Sequence, residues 1–156
     1  GRVFIPSFEG VLMRYFWALL LLAGLSLPAR ADDLYVPHLR MCNGQANSPT
    51  KTCLVDGDTV WLRGTKYRME GYDTPEPQSQ ICGGAAEVAL AHQASARLLD
   101  LLNGNRWTVD VSGELDDTGT RTLITILIDG RDVGDILIEE RLARRWPDGD
   151  EWWCRL

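Results

Sequence analysis

Histidine is scarce in this 156-residue chain, present only as His38 and His92, and there is no C-x-x-C pair. Structural zinc sites space their ligands closely, and neither histidine has a cysteine near it, so the cysteines do not read as a zinc centre. Nor is there an apolar run of about 20 residues, the length a comfortable membrane span needs. No internal repeat is visible. Positive charge is also short: 16 Lys and Arg stand against 22 Asp and Glu, for a net charge of −6. Phosphate binding normally draws on a basic field, so this balance weighs against a protein that binds nucleic acid through its own charge.

What is present begins at the N-terminus. Met13-Arg14 precedes an apolar run from Tyr15 to Leu27 and then Pro28-Ala29-Arg30-Ala31. One positive charge, a short apolar stretch and an A-x-A site describe a secretory signal peptide, with cleavage after Ala31. An N-terminal anchor helix is the alternative. Residues 1–12 contain no Met and read as upstream sequence, with Met13 as the start. Removing Arg2, Arg14, Arg30 and Glu9 leaves 13 basic and 21 acidic residues from Asp32 onward, a net charge of −8. The expected product is exported, periplasmic or extracellular, monomeric and without stable membrane association.

Cys42, Cys53, Cys82 and Cys154 all follow that site, and an even number in an exported domain argues for two disulfides. Three pairings are possible. The expected one joins Cys42 to Cys53 across a polar loop with Asn43-Gly44 and Ser48-Pro49, and Cys82 to Cys154, tying the C-terminal end back. The second loop would stabilise by roughly 4 kcal/mol in the chain-entropy model.

Residues 32–52 read as an extended arm and disulfide loop. Leu54-Val55, Thr59 to Leu62 and Lys66 to Tyr72 are strand-like, with a hairpin near Gly64. Ala85 to Leu102 is the one strong helix: Leu90, Ala94, Leu98, Leu101 and Leu102 recur at spacings of three and four, and Asn103-Gly104 supplies the stop. Strands over Trp107 to Val111 and Thr122 to Ile128 flank a polar loop, Glu114 to Thr120. Asp129-Gly130 then turns the chain into a short helix around Asp132 to Glu140, and the tail from Trp146 is aromatic and irregular. Short strands around a long helix, without strand–helix alternation, indicate an α+β arrangement or a small barrel with helices on it.

Two acidic clusters bear on chemistry. Asp56 and Asp58 bracket Gly57 at a turn; Asp73 and Glu76 bracket Thr74-Pro75, beyond the segment that carries Arg68. Each alone reads as a hairpin turn or a helix entry. If the strands pair, Asp58, Asp73 and a backbone carbonyl form an all-oxygen site, which suits a hard cation such as Ca²⁺. His38 and His92 sit beside neither cluster and read as solvent or helix-face residues. Trp146, Trp152 and Trp153 read as aromatic caps on a small core rather than as base-stacking platforms, since no basic groove accompanies them.

The run Val55-Asp56-Gly57-Asp58-Thr59, then Tyr67-Arg68-Met69-Glu70-Gly71-Tyr72-Asp73-Thr74-Pro75-Glu76, then Asp117 four residues before Arg121, resembles the thermonuclease (staphylococcal nuclease-like) family. Asp129 to Ile138 and Leu142-Ala143-Arg144 continue the likeness, which covers roughly Cys53 to Arg145. The resemblance implies a five-stranded OB-like β-barrel over 53–156, with one long and one short helix packed on it. It also implies Ca²⁺-dependent endonuclease activity on DNA and RNA. On that pattern Asp58, Asp73 and the Thr74 carbonyl hold the metal and Asp56 supports them from behind. Glu76 orients or deprotonates the attacking water, and Arg68 and Arg121 hold the phosphate. The chain departs from the family at Asp117-Thr118-Gly119-Thr120-Arg121, where an aromatic is missing and the glycine falls one place early. Thr120 resists a positive φ, which would alter the aim of Arg121. Arg141 likewise stands where the family tends to have glycine, past the short helix. The alternative from another class is a catalytically weak OB-fold module that binds nucleic acid or oligosaccharide.

Overall fold

Turn chemistry organises the first half of the chain in the computed structural model, which describes residues 34–78 and 80–155 together with Gly1. The signal-peptide reading of residues 1–31 lies outside the described residues. Strands β1 (Cys53–Leu54) and β2 (Thr59–Leu62) flank the Asp56–Asp58 turn, and β2 joins β3 (Thr65–Met69) through Arg63-Gly64. Both residues of that turn have positive φ, 49° and 83°, the geometry that matches the twist of paired strands. Gly64 is needed for space as well, since an added Cβ would lie 2.4 Å from the Pro49 carbonyl oxygen. Asp129-Gly130, with φ of 50° and 79°, repeats the device further along.

Beyond the helix α1 (Gly84–Gly104) come β5 (Thr108–Leu115), β6 (Thr122–Ile128), β7 (Arg131–Asp132), α2 (Val133–Glu139) and β8 (Arg144–Arg145), then a 3-10 turn at Trp152–Arg155. The main sheet has the order β1-β2-β3-β6-β5, with β7 also on β6; β3 and β6 run parallel and the other pairs antiparallel. Tyr72–Asp73 forms β4, which pairs with β8 in a separate ladder. The fold is α+β. Among the described residues no ladder joins β5 to β1, so the sheet is open where a five-stranded barrel would close.

Period-two burial puts Ile124, Ile126 and Ile128 of β6 into the core with Val60, Leu62 and Met69. The helices cover them with Leu98, Leu101 and Leu102 of α1 and Val133 and Leu137 of α2. The buried face of α1 runs Glu87, Ala91, Ala94, Ser95, Leu98, Leu101 and Leu102, so it is turned slightly from the expected stripe and Leu90 is only half-buried.

Four local expectations need correction. The segment from Lys66 to Tyr72 is two strands, because Gly71 (φ 76°) turns the chain and sends Tyr72 and Asp73 to pair with β8. The Asn103-Gly104 stop lies inside α1, and Asn105 caps it instead. Asn103 is occupied elsewhere: its amide accepts the Leu39 N–H at 2.7 Å and donates to the Leu39 carbonyl at 3.0 Å, docking the N-terminal arm. β5 continues through Leu115, with an irregular register after Val111 where Gly113 has φ 80°, so the polar loop is shorter than expected. The tail from Trp146 is also more ordered than expected, with the 3-10 turn at Trp152–Arg155 in it.

The disulfides are Cys42–Cys53 and Cys82–Cys154, closing 11 and 72 residues of separation, and there is no free cysteine among the described residues. Among those residues no helix is long and apolar enough to cross a membrane. Chain entropy makes the longer loop worth more, about 4 kcal/mol against about 3 kcal/mol. Urea denaturation of the two double Cys→Ala variants should therefore show the larger loss for Cys82/Cys154; an equal or reversed order would contradict the tie between α1 and the C-terminal end.

Candidate active site

Asp58 ends the Asp56–Asp58 turn, with its side chain almost entirely buried. The turn is tight because its middle residue is glycine: a Cβ on Gly57 would sit 2.7 Å from Cγ2 of Thr74. Tyr72 donates its hydroxyl to the Gly57 carbonyl at 3.0 Å from the other side. Asp56 accepts the Asp58 backbone N–H at 3.2 Å, so it shapes the turn from behind.

Both oxygens of Asp58 are occupied. Oδ1 accepts from Arg68 Nη1 at 2.5 Å and from the Thr59 hydroxyl at 3.0 Å. Oδ2 accepts from the backbone N–H and the hydroxyl of Thr74, each at 3.0 Å. Arg68 faces Thr59 across the β2–β3 ladder, which brings it to this end of the sheet. Its Nη2 donates to Asp73 Oδ1 at 2.7 Å, so one guanidinium bridges both acidic clusters. Burial pushes the Asp58 carboxyl well above its ordinary value against the pull of Arg68, with Asp56 and Asp73 adding to the rise.

Arg68, Asp73, Thr74, Glu76 and Arg121 line one cavity of about 770 Å³; Asp56 and Asp58 do not, Asp58 being joined to its wall through Arg68 and Thr74 and Asp56 only through Asp58. Glu76 is half-buried, and among the described residues its carboxylate has no hydrogen-bond partner. Burial raises its pKa, and Asp58 and Asp73 push the same way. Arg121 is aimed inward despite the altered loop. The positive φ falls on Gly119 (68°), so Thr120 needs none. Past α2, Arg141 adopts φ 58°, the left-handed geometry a glycine would adopt at less cost.

Three residues given no role from the sequence belong to this region. Asp116, rather than the exposed Asp117, anchors Arg121: it accepts the backbone N–H groups of Thr120 and Arg121 at 3.0 Å and the Arg121 Nε at 2.7 Å. Arg144, 8 % exposed, donates to Asp73 Oδ2 at 3.0 Å, to the Gly149 carbonyl and to Glu151. Glu87 is fully buried beneath the loop that follows Glu76. Adjacent carboxylates and a run of arginines do not reveal which member turns inward, so the sequence carried little signal for the first two.

Trp153 is buried as a cap, while Trp146 is exposed on the cavity rim with the Arg144 guanidinium 5.0 Å from its ring. His38 and His92 are exposed. Among the described residues one trio of possible metal-ligating side chains lies within 4.8 Å, Cys82, Glu151 and Cys154, and its sulfurs are bonded to each other. No family model matches this chain, and no curated protein matches it.

Burial raises the Asp116 carboxyl, but the hydrogen bonds from Arg121, Thr120 and Thr118 outweigh it and hold the pKa well below the usual carboxylate range. A depressed folded pKa contributes stability that is full above the ordinary value of 3.8 and is lost as pH falls through the folded one. Asp116→Ala should therefore cost about 2–3 kcal/mol at neutral pH, read by urea denaturation, since it strands a largely buried guanidinium and two N–H groups. The gap to the wild type should narrow only below pH 3.8. A variant as stable as the wild type at neutral pH would remove Asp116 as the anchor.

Proposed function

We propose that this chain is an exported, Ca²⁺-dependent nuclease of the thermonuclease-like kind, hydrolysing phosphodiester bonds of DNA or RNA. The observation that carries the reading is the convergence of Arg68, Asp73, Thr74, Glu76 and Arg121 on one cavity, with Asp58 bound to that wall through Arg68 and Thr74. A phosphodiester is anionic and gathers more charge on its equatorial oxygens as it reacts. Two guanidinium forks meet that charge with directional donors, as lysine would not. Glu76, whose carboxylate has no hydrogen-bond partner among the described residues and is raised in pKa, is suited to take a proton from water.

The donor set suits a hard cation. Asp58, Asp73 and the Thr74 carbonyl would hold Ca²⁺, all through oxygen, with two carboxylates that Arg68 already brings to one place. When bound, that ion supplies fixed positive charge to the reacting phosphate. The cavity needs such a supplement: seven acidic residues line it against three arginines, so a phosphodiester alone meets a repulsive field. Two disulfides fit an exported protein. On the barrel reading, β1 and β5 are the strands that would meet to close the sheet.

The alternative binding module is favoured by one observation: Arg68, Arg121 and Arg144 are each already paired with carboxylates. Single-stranded DNA incubated with the oxidised chain separates the two. Cleavage should require Ca²⁺ and stop with EDTA. Glu76→Gln should lower kcat by roughly 10²-fold or more. Arg68→Ala or Arg121→Ala should raise the barrier by ~3 kcal/mol, roughly a hundredfold in rate. Cleavage indifferent to EDTA, or undiminished in Glu76→Gln, would overturn the assigned mechanism; binding without cleavage would overturn the nuclease and support the module.

A further inference from the structure

Glu87 is a fully buried carboxylate in the first turn of α1. A buried anion is costly unless it is paired or hydrogen-bonded. Among the described residues Glu87 has no ion-pair partner, and its backbone donors are three N–H groups. Oε2 accepts from Cys82 and Gly83, both at 2.7 Å, and Oε1 accepts from Glu76 at 3.2 Å. A glutamate reaching back to the residues just ahead of its own helix is ordinary capping. That accounts for Cys82 and Gly83. It does not account for Glu76, 11 residues before it in the chain.

We propose that Glu87 is a positioning residue for Glu76: its two oxygens staple both ends of the 76–83 loop to α1 and so fix the backbone that presents Glu76 to the cavity. The inference rests on the reading of Glu76 as the group that activates water. The loop's far end is also held from outside. Cys82 is bonded to Cys154, and Gly83 lies so close to the C-terminal turn that an added Cβ would come within 2.1 Å of the Trp153 carbonyl oxygen. With that end clamped on both sides, the Glu87–Glu76 contact sets where the near end lies. Glutamine in place of Glu87 keeps the volume but offers one acceptor oxygen and points an NH₂ donor at N–H groups, so one end of the staple is released.

Glu87→Gln, Glu76→Gln and the double variant are to be compared in the oxidised full chain, with single-stranded DNA and Ca²⁺. Small displacements of a catalytic group are costly, so Glu87→Gln should lower kcat by roughly ten- to a hundredfold. KM and the Ca²⁺ dissociation constant should stay within about twofold of the wild type if the effect is confined to positioning. The double variant should be no slower than Glu76→Gln, because the effect passes through Glu76. An unchanged kcat in Glu87→Gln, or losses that add in the double variant, would overturn the proposal. A Glu76→Gln enzyme of full activity would instead remove Glu76 as the group that activates water, and absence of cleavage by the wild type would sink the nuclease assignment. Amide hydrogen exchange on the wild type decides the staple even if Glu87→Gln fails to fold. The N–H groups of Glu76, Cys82 and Gly83 should be protected, and exchange at the rate of open loop would refute it.

Discussion

The buried carboxylate of Asp58 is the constraint around which this end of the molecule is built. Through four hydrogen bonds it joins the start of β2, the Arg68 side chain of β3 and the Thr74 backbone beyond β4. A charge this deep is tolerable only when it is surrounded by donors, and removing one partner would leave it exposed to an apolar interior. The glycine at position 57 follows from the same requirement. It lets the turn approach Thr74 closely enough for two donors to reach one oxygen.

From Asp58 the network spreads outward by sharing guanidinium groups. Arg68 links Asp58 to Asp73, Asp73 is shared with Arg144, and Arg144 ties in Gly149 and Glu151 near the C-terminal end. Arg121 touches the hydroxyl of Thr59, itself a donor to Asp58, at 3.4 Å while Asp116 holds its other edge. The arginines that could face a phosphate are therefore preorganised by carboxylates, which limits their cost of ordering. The same pairing cancels much of their charge. A cation held by the acidic groups reconciles these two facts, since it would return positive field to a cavity rich in carboxylates.

How much of this could be read beforehand depends on how local the signal is. The Gly64 hairpin, the Asp129-Gly130 turn and the long helix follow from short-range turn chemistry and periodicity, and the structure contains them. Of the three possible disulfide pairings, the one expected from the polar loop between Cys42 and Cys53 is the one present. The convergence of Asp73, Glu76 and Arg121 was suggested by a familiar spacing. Glu87, Asp116 and Arg144 were not legible in the same way. Each owes its role to a chain segment distant in sequence or to which of two adjacent residues turns inward. A glutamate in a first helical turn ordinarily faces solvent; this one is buried because the disulfide-bound loop folds over it. The open edge between β1 and β5 had no local signature either.

Calorimetric titration of the oxidised chain with Ca²⁺, alongside Asp58→Asn and Asp73→Asn, tests the central claim most directly. If these carboxylates form a cation site, the wild type binds one ion and each substitution weakens that binding tenfold or more, in line with loss of a hard oxygen ligand. Absence of binding in the wild type, or affinity retained in both variants, would contradict the account.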